Sequence, residues 1–239
     1  MKRFPHTPCW TRWPSVISLL LALGAPLRGQ AVGTTPLLDA LSITVQSDST
    51  TVARGSMRFR QVRAGADLDL VASGIVVRRG LRVTAELHTD SVFGLRRYVA
   101  ESRDSAGKLL DRVQVTSAGG RITLERVTSS RRMVREFAAQ RDIVILDSAA
   151  VVPFVALAAL VQRTGTLSFL DVRRGTLTSA QVAPGLSGEL SVAEVVVTGT
   201  PISVSGLGTP LSWWRDAKGR LLRVLWGERG RVLRDDPPT

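Results

Sequence analysis

From Leu41 onward the apolar residues of this chain recur at every second position, and that period constrains the fold more than any other feature. In MRFRQV, Met57 and Phe59 share one face while Arg58 and Arg60 take the other. In DRVQVTS, Val113 and Val115 alternate with Arg112, Gln114 and Thr116. In RITLERV, Ile122, Leu124 and Arg126 alternate with Arg121, Thr123 and Glu125. Successive side chains of a strand point to opposite faces, so alternation of this kind marks strands with one buried face. Near the end Leu222, Val224 and Trp226 share a face, although Leu221 and Leu225 make that strand apolar on both sides. Turn signals separate the runs at intervals of about 8–12 residues, the spacing of an antiparallel meander. The expected turn glycines are Gly65, Gly80, Gly107, Gly119, Gly120, Gly175, Gly188, Gly219 and Gly230. Two of them lie in near-copies, RDSAGKLL at 103–110 and RDAKGRLL at 215–222. In each, the Asp is placed to accept hydrogen bonds from the turn backbone and the Gly to take the left-handed position before the next strand.

Ahead of the strands, Lys2, Arg3 and Arg12 precede the apolar run VISLLLALGAPL, which is followed by Gly29-Gln30-Ala31. A basic region, a short apolar region and a small-x-small site make a secretory signal peptide. Cleavage is expected between Ala31 and Val32. The run falls short of the about 20 apolar residues that span a bilayer, so no transmembrane segment is expected in the mature chain. Removing 31 of the 239 residues leaves 208, a length that suits one β-rich domain over 32–239 with short loose ends at about 32–36 and 235–239. Cys9, the only cysteine, and His6 leave with the signal, so His88 becomes the only histidine. Disulfides, thiol nucleophiles, Cys-ligated zinc, iron–sulfur clusters and two-histidine sites are thereby excluded from the mature chain. No cofactor and no metal are expected. The location implied is periplasmic or extracellular.

The net charge of +12 falls to +8, because four basic residues and no acid are removed. Only Lys108 and Lys218 remain as lysines, beside 26 arginines. A basic surface attracts polyanions in general. These arginines are scattered along strand-like segments with acids among them, and no run of five basic residues occurs. They read as solvated strand faces, and no nucleic-acid partner is expected of an exported chain.

One stretch, ILDSAAVVPFVALAALVQRTG at 145–165, admits two readings. Asp147-Ser148-Ala149 resembles the Asp-Ser/Thr-Gly loop of an aspartic protease, in which two carboxylates share a proton. Ala149 stands where that loop has Gly, and no second copy of the motif occurs. The other reading is structural. IVIL is a short apolar strand, Asp147 and Ser148 are turn or capping residues, and Pro153 suits the first turn of a helix. That helix, over about 150–163, would stop at Thr164-Gly165. Being apolar nearly all round, it should be buried. The fold expected is thus mainly β: a curved antiparallel sheet, a half-barrel, of about ten or more strands with this helix in its concave face.

Three features carry a family resemblance: the paired strands of the first half, the central VVPFVALAALVQR segment, and the closing PLSWWRDAKGRLLRVLWGERGRVLR. Over about residues 37–234 the layout resembles exported bacterial proteins of the domain-of-unknown-function 3108 type, which are similar in fold to the Lol-type lipoprotein carriers. There a half-barrel holds a helical plug, and the carriers accept acyl chains. The resemblance implies an apolar cleft between sheet and helix, with Phe154, Leu157, Trp213, Trp214 and Trp226 as candidate ligand contacts. Trp213 and Trp214 must point to opposite faces of one strand, so at most one lines a cavity.

Other chemistry is sparse. His88 shares a strand face with Glu86 and Asp90, a triplet more suited to a solvated face than to a metal. No Gly-x-Ser-x-Gly elbow and no phosphate-binding glycine loop occurs. Carboxylate pairs brought together from distant strands stay open. Three functions are therefore carried forward. The first is a non-enzymatic envelope protein binding a lipid or other apolar ligand. The second is an envelope interaction module with a packed core and a protein partner, and the third is a carboxylate hydrolase around Asp147.

Overall fold

The computed structural model describes residues 37–65, 67–140, 143–159 and 164–238. The cleavage site at Ala31 and Val32 lies outside them. The period-two runs form a meander of β1 (Leu37–Ser47), β2 (Thr50–Ala64), β3 (Asp67–Arg78), β4 (Leu81–Asp90), β5 (Leu95–Arg103), β6 (Leu109–Ala118), β7 (Arg121–Thr128) and β8 (Arg132–Ala138). After β9 (Ile143–Leu146) and helix α1 (Val152–Ala159) come β10 (Gly165–Asp171), β11 (Thr176–Pro184), β12 (Gly188–Val192) and β13 (Val195–Ser205). The chain closes with β14 (Leu211–Arg215), β15 (Leu221–Trp226) and β16 (Gly230–Arg234).

All sixteen strands belong to one open sheet, ordered β8-β7-β6-β5-β4-β3-β2-β1-β16-β15-β14-β13-β11-β10-β9, with β12 paired on β13. First and last strands meet in the middle of the sheet, whereas β8 and β9, neighbours in sequence, form its two edges. Fifteen strands about 4.8 Å apart would span roughly 67 Å if flat. The four residues between β8 and β9 reach at most about 18 Å, so the sheet curls until its edges approach. Pairing is antiparallel throughout except that β9 runs parallel to β10. The cause is α1, because a crossover returns the chain in the same direction where a hairpin reverses it.

Alternation places the core as expected. Met57, Phe59, Val113, Val115, Ile122 and Leu124 are all buried, and α1 packs against β2, β3, β4, β14 and β15 from the concave side. Every residue of α1 from Val152 to Ala158 is buried. Isolated helices this short are not stable in water, so burial holds it. The helix starts two residues later than expected, with Pro153 in its first turn, and positions 160–163 lie outside the described residues. Gly74 on β3 lets the helix approach, since a Cβ there would stand 3.0 Å from a Val152 methyl.

The near-copies fold alike. Asp104 takes the Gly107 and Lys108 amides as Asp216 takes those of Gly219 and Arg220, and Gly107 and Gly219 both have positive φ. Gly188 and Gly230 instead open strands β12 and β16 without a left-handed φ. Leu222 also departs from expectation: it leaves the face of Val224 and Trp226 for a small outer cluster with Leu190, Val192 and Trp214. A register shift between Trp214 and Arg215 accompanies the change, and such bulges turn side chains over. At the chain's close Arg234, almost fully buried, grips Asp39 with Nη1 and Nη2 at 2.9 and 3.0 Å, tying β16 to β1. Asp235 and Asp236 continue that tie, bonding the backbone of Ser42.

Candidate functional site

Asp147 follows the buried strand β9, and its carboxylate is wholly enclosed. Arg173, from the turn after β10, meets it with two nitrogens: Nε donates to Oδ1 at 2.7 Å and Nη2 to Oδ2 at 2.8 Å. The Tyr98 hydroxyl, on β5, donates to Oδ2 at 2.7 Å, and the Ala149 amide to Oδ1 at 2.9 Å. Through Nη1 Arg173 also binds Asp111 on β6. The Asp111 oxygens take Arg126 Nε at 3.1 Å and Nη2 at 2.9 Å, and Arg126 Nη1 reaches the Arg173 carbonyl at 2.7 Å. Burial, then the adjacent Asp147 charge and hydrogen bond, push the Tyr98 hydroxyl well above its ordinary pKa. Burial works to lower the Arg173 guanidinium, but Asp147 and Asp111 outweigh it and its pKa stands above the usual value. Asp147 is therefore the turn residue the sequence implies and also the anchor of an ionic network. A protease dyad needs a second carboxylate sharing its proton; here Arg173 stands between Asp147 and Asp111.

This network is one wall of a cleft of about 280 Å³ into which five arginines converge: Arg126, Arg131, Arg135, Arg173 and Arg174. They come from β7, the β7–β8 turn, β8 and the β10–β11 turn. Arg135 donates to the Gly175 carbonyl at 2.8 Å. Arg174, three-quarters exposed, lies 3.7 Å from Asp171. Among the described residues nothing holds the Arg131 guanidinium. Against five guanidiniums stand three bound carboxylates, Asp111, Asp147 and Asp171, which leaves two positive charges in excess. A planar guanidinium presents a fork of donors that matches carboxylate or phosphate oxygens. The arginines that read as scattered strand charges are thus gathered at one place by the fold.

A second cleft, of about 170 Å³, shares Arg173 and Arg174 with the first. Its lining is mixed: Leu146, Phe169, Leu207, Leu211 and Trp226 stand beside Ser148, Asp171, Thr176, Thr178 and Thr209. Taken together, the arginine wall adjoins an opening in which Trp226 and Leu207 are half-buried. Other openings are less selective. A groove across β2–β5 sets Arg58 and Arg97 against Glu86 and Glu101, so its charges cancel. A cleft beside Phe59, Leu70, Phe93 and Val155 has one lysine, Lys218, at its rim, with the paired Asp216–Arg220 turn beside it.

The expected ligand contacts divide. Phe154, Leu157 and Trp213 are buried to 1, 2 and 3% exposure. Leu157 borders a small opening of about 30 Å³ with Leu87, Phe93 and Pro153. Trp213 and Trp214 do take opposite faces: Trp213 sits in the main core, Trp214 in the outer cluster with Arg223 stacked 5.2 Å from its ring. Trp226 lines the second cleft, its ring held edge-on to Phe154 at 5.3 Å and 79°. The triplet at His88 is split, since Glu86 lies 2.6 Å from His88 whereas Asp90 accepts the Val92 and Gly94 amides. Among the described residues no group of three His, Cys, Asp or Glu is placed to hold a metal ion.

The fold and these clefts define an open β half-barrel with a helical plug and an arginine-walled site at its β10–β11 turn. Compared with known proteins, the chain matches no family model, no curated protein and no solved structure.

Proposed function

We propose that this chain is an exported, non-enzymatic envelope protein that binds an anionic amphiphile. The apolar part of the ligand rests on Trp226 and Leu207, and its anionic head meets Arg131, Arg135 and Arg174. One observation carries the reading: Arg173 and Arg174, common to both clefts, join the arginine wall to the opening that Trp226 and Leu207 line. The basic and apolar N-terminal run supports export, and the resemblance to carriers of acyl chains supports the ligand class. The arginines gather at the β10–β11 turn, so the anionic ligand binds at the margin of the half-barrel. A second reading, an interaction module with a packed core, draws on burial: Phe154, Leu157 and Trp213 have no room beside them for a ligand.

Titration calorimetry with dodecyl phosphate and dodecyl maltoside separates the two. The amphiphile reading expects saturable binding of the phosphate, weakening as salt screens the arginines, and at least tenfold weaker binding to Arg131→Ala/Arg135→Ala. Equal binding of both detergents, or of neither, refutes it, and binding of neither favours the packed module.

A further inference from the structure

The open edge of the sheet at β8 points to a second copy of this chain as its partner. In the β7–β8 hairpin, Thr128 donates to the Arg131 carbonyl and Ala139 to the Gly120 carbonyl. With the register Arg121↔Ala138 through Val127↔Arg132, the odd-numbered residues of β8 exchange hydrogen bonds with β7. Arg132, Val134 and Glu136 therefore turn their backbone N–H and C=O groups to the free edge. Their side chains share one face, where Val134 is 52% exposed. Edges of this kind are templates for another strand unless something blocks them.

We infer that two chains pair β8 with β8 in antiparallel register about a two-fold axis at Val134. In that register Val134 meets Val134, and Arg132 of each chain faces Glu136 of the other. Every outward N–H and C=O of the three residues then finds a partner of the same class, because residues with outward groups oppose one another. Charge selects this register over its neighbour. A shift of the axis to Arg135 would face Val134 with Glu136 and Arg135 with Arg135. Within one chain Arg132 already bonds Glu125 at 2.7 Å and Glu136 bonds Arg121 at 2.9 Å. Pairing would extend these into a row of alternating sign across the seam, Glu125, Arg132, Glu136 and Arg121, with the last two from the second copy. Opposed charges on facing strands stabilise a pair, and like charges destabilise it. The inner face of β8 carries Arg135, so the dimer would also place two arginine clefts on either side of its axis. That consequence is separate from the pairing itself, which stands whether or not the cleft binds an amphiphile.

Sedimentation velocity over a protein concentration series tests the pairing. Wild-type chain is expected to move from monomer to dimer as concentration rises. Val134→Pro removes an outward N–H without touching the β7 ladder, a place where edge strands accept proline. It should stay monomeric with an unchanged circular dichroism spectrum. Arg132→Glu and Glu136→Arg should each be monomeric alone, since each sets like charges across the seam, while their mixture forms a heterodimer in which both pairs are restored. The intrachain ion pairs these changes break are exposed and contribute little to folding. A wild-type chain that remains monomeric at every concentration, dimers that persist in Val134→Pro, or no heterodimer in the mixture would overturn the inference.

Discussion

At the scale of single residues the fold turns on Asp147, where a charge is enclosed at the end of an apolar strand. Isolated, a carboxylate there would be too costly to keep ionised. Arg173, Tyr98 and the Ala149 amide satisfy it together. The sequence shows the local half of this arrangement, an Asp after IVIL and before a small-residue turn. It hides the other half, because Tyr98 and Arg173 lie 49 and 26 residues away and no local spacing links them. Tyr98 makes the network testable, being the only tyrosine in the chain. Burial first, and Asp147 second, raise its pKa. The folded chain therefore holds this proton more tightly than the unfolded chain does. Its contribution to stability is complete below the ordinary value near 10 and is lost as pH climbs through the raised value. An alkaline titration of native protein should show no phenolate absorbance until the chain unfolds, and Tyr98→Phe should flatten the fall in stability above about pH 10. Phenolate appearing at its ordinary pKa in folded protein would mean that the hydroxyl is open to solvent.

At the scale of elements, period two was sufficient to read the meander, because a sheet with one buried face writes its geometry into adjacent residues. It also placed Arg126 on the inward face with Ile122 and Leu124, the one member of the arginine cleft with a legible orientation. The other arginines were not legible as a group. They come from turns and edges that meet only when β10 and β11 fold back toward β8. The helix was visible from Pro153, its apolar run and the Gly165 stop, whereas the parallel pairing of β9 with β10 depends on where the chain re-enters the sheet. α1 holds its place through burial, with Phe154 packed edge-on against the Trp226 ring of β15. Phe154→Ala should cost about 3–5 kcal/mol in urea unfolding, the range for emptying a large aromatic site in a packed core. A loss under about 1 kcal/mol would show that the site collapses freely and that the plug is loosely held.

At the scale of the whole molecule, a sheet too wide to lie flat is curled by a short connection between its edges and filled by one helix. Arg234 and Asp39 fasten its first and last strands together in the middle. At its margin the arginine cleft and the cleft beside Trp226 share Arg173 and Arg174. Close packing around Phe154, Leu157 and Trp213 leaves Trp226, at the margin, as the expected contact beside the arginines. The central claim is that an anionic amphiphile lies with its chain on Trp226 and its head among the arginines. The most direct test is quenching of tryptophan fluorescence by an alkyl phosphate brominated along its chain. The account predicts saturable quenching in the wild-type protein that is abolished in Trp226→Phe, where Trp213 and Trp214 remain. Quenching that survives unchanged in Trp226→Phe would contradict it, because the chain would then lie against a different tryptophan.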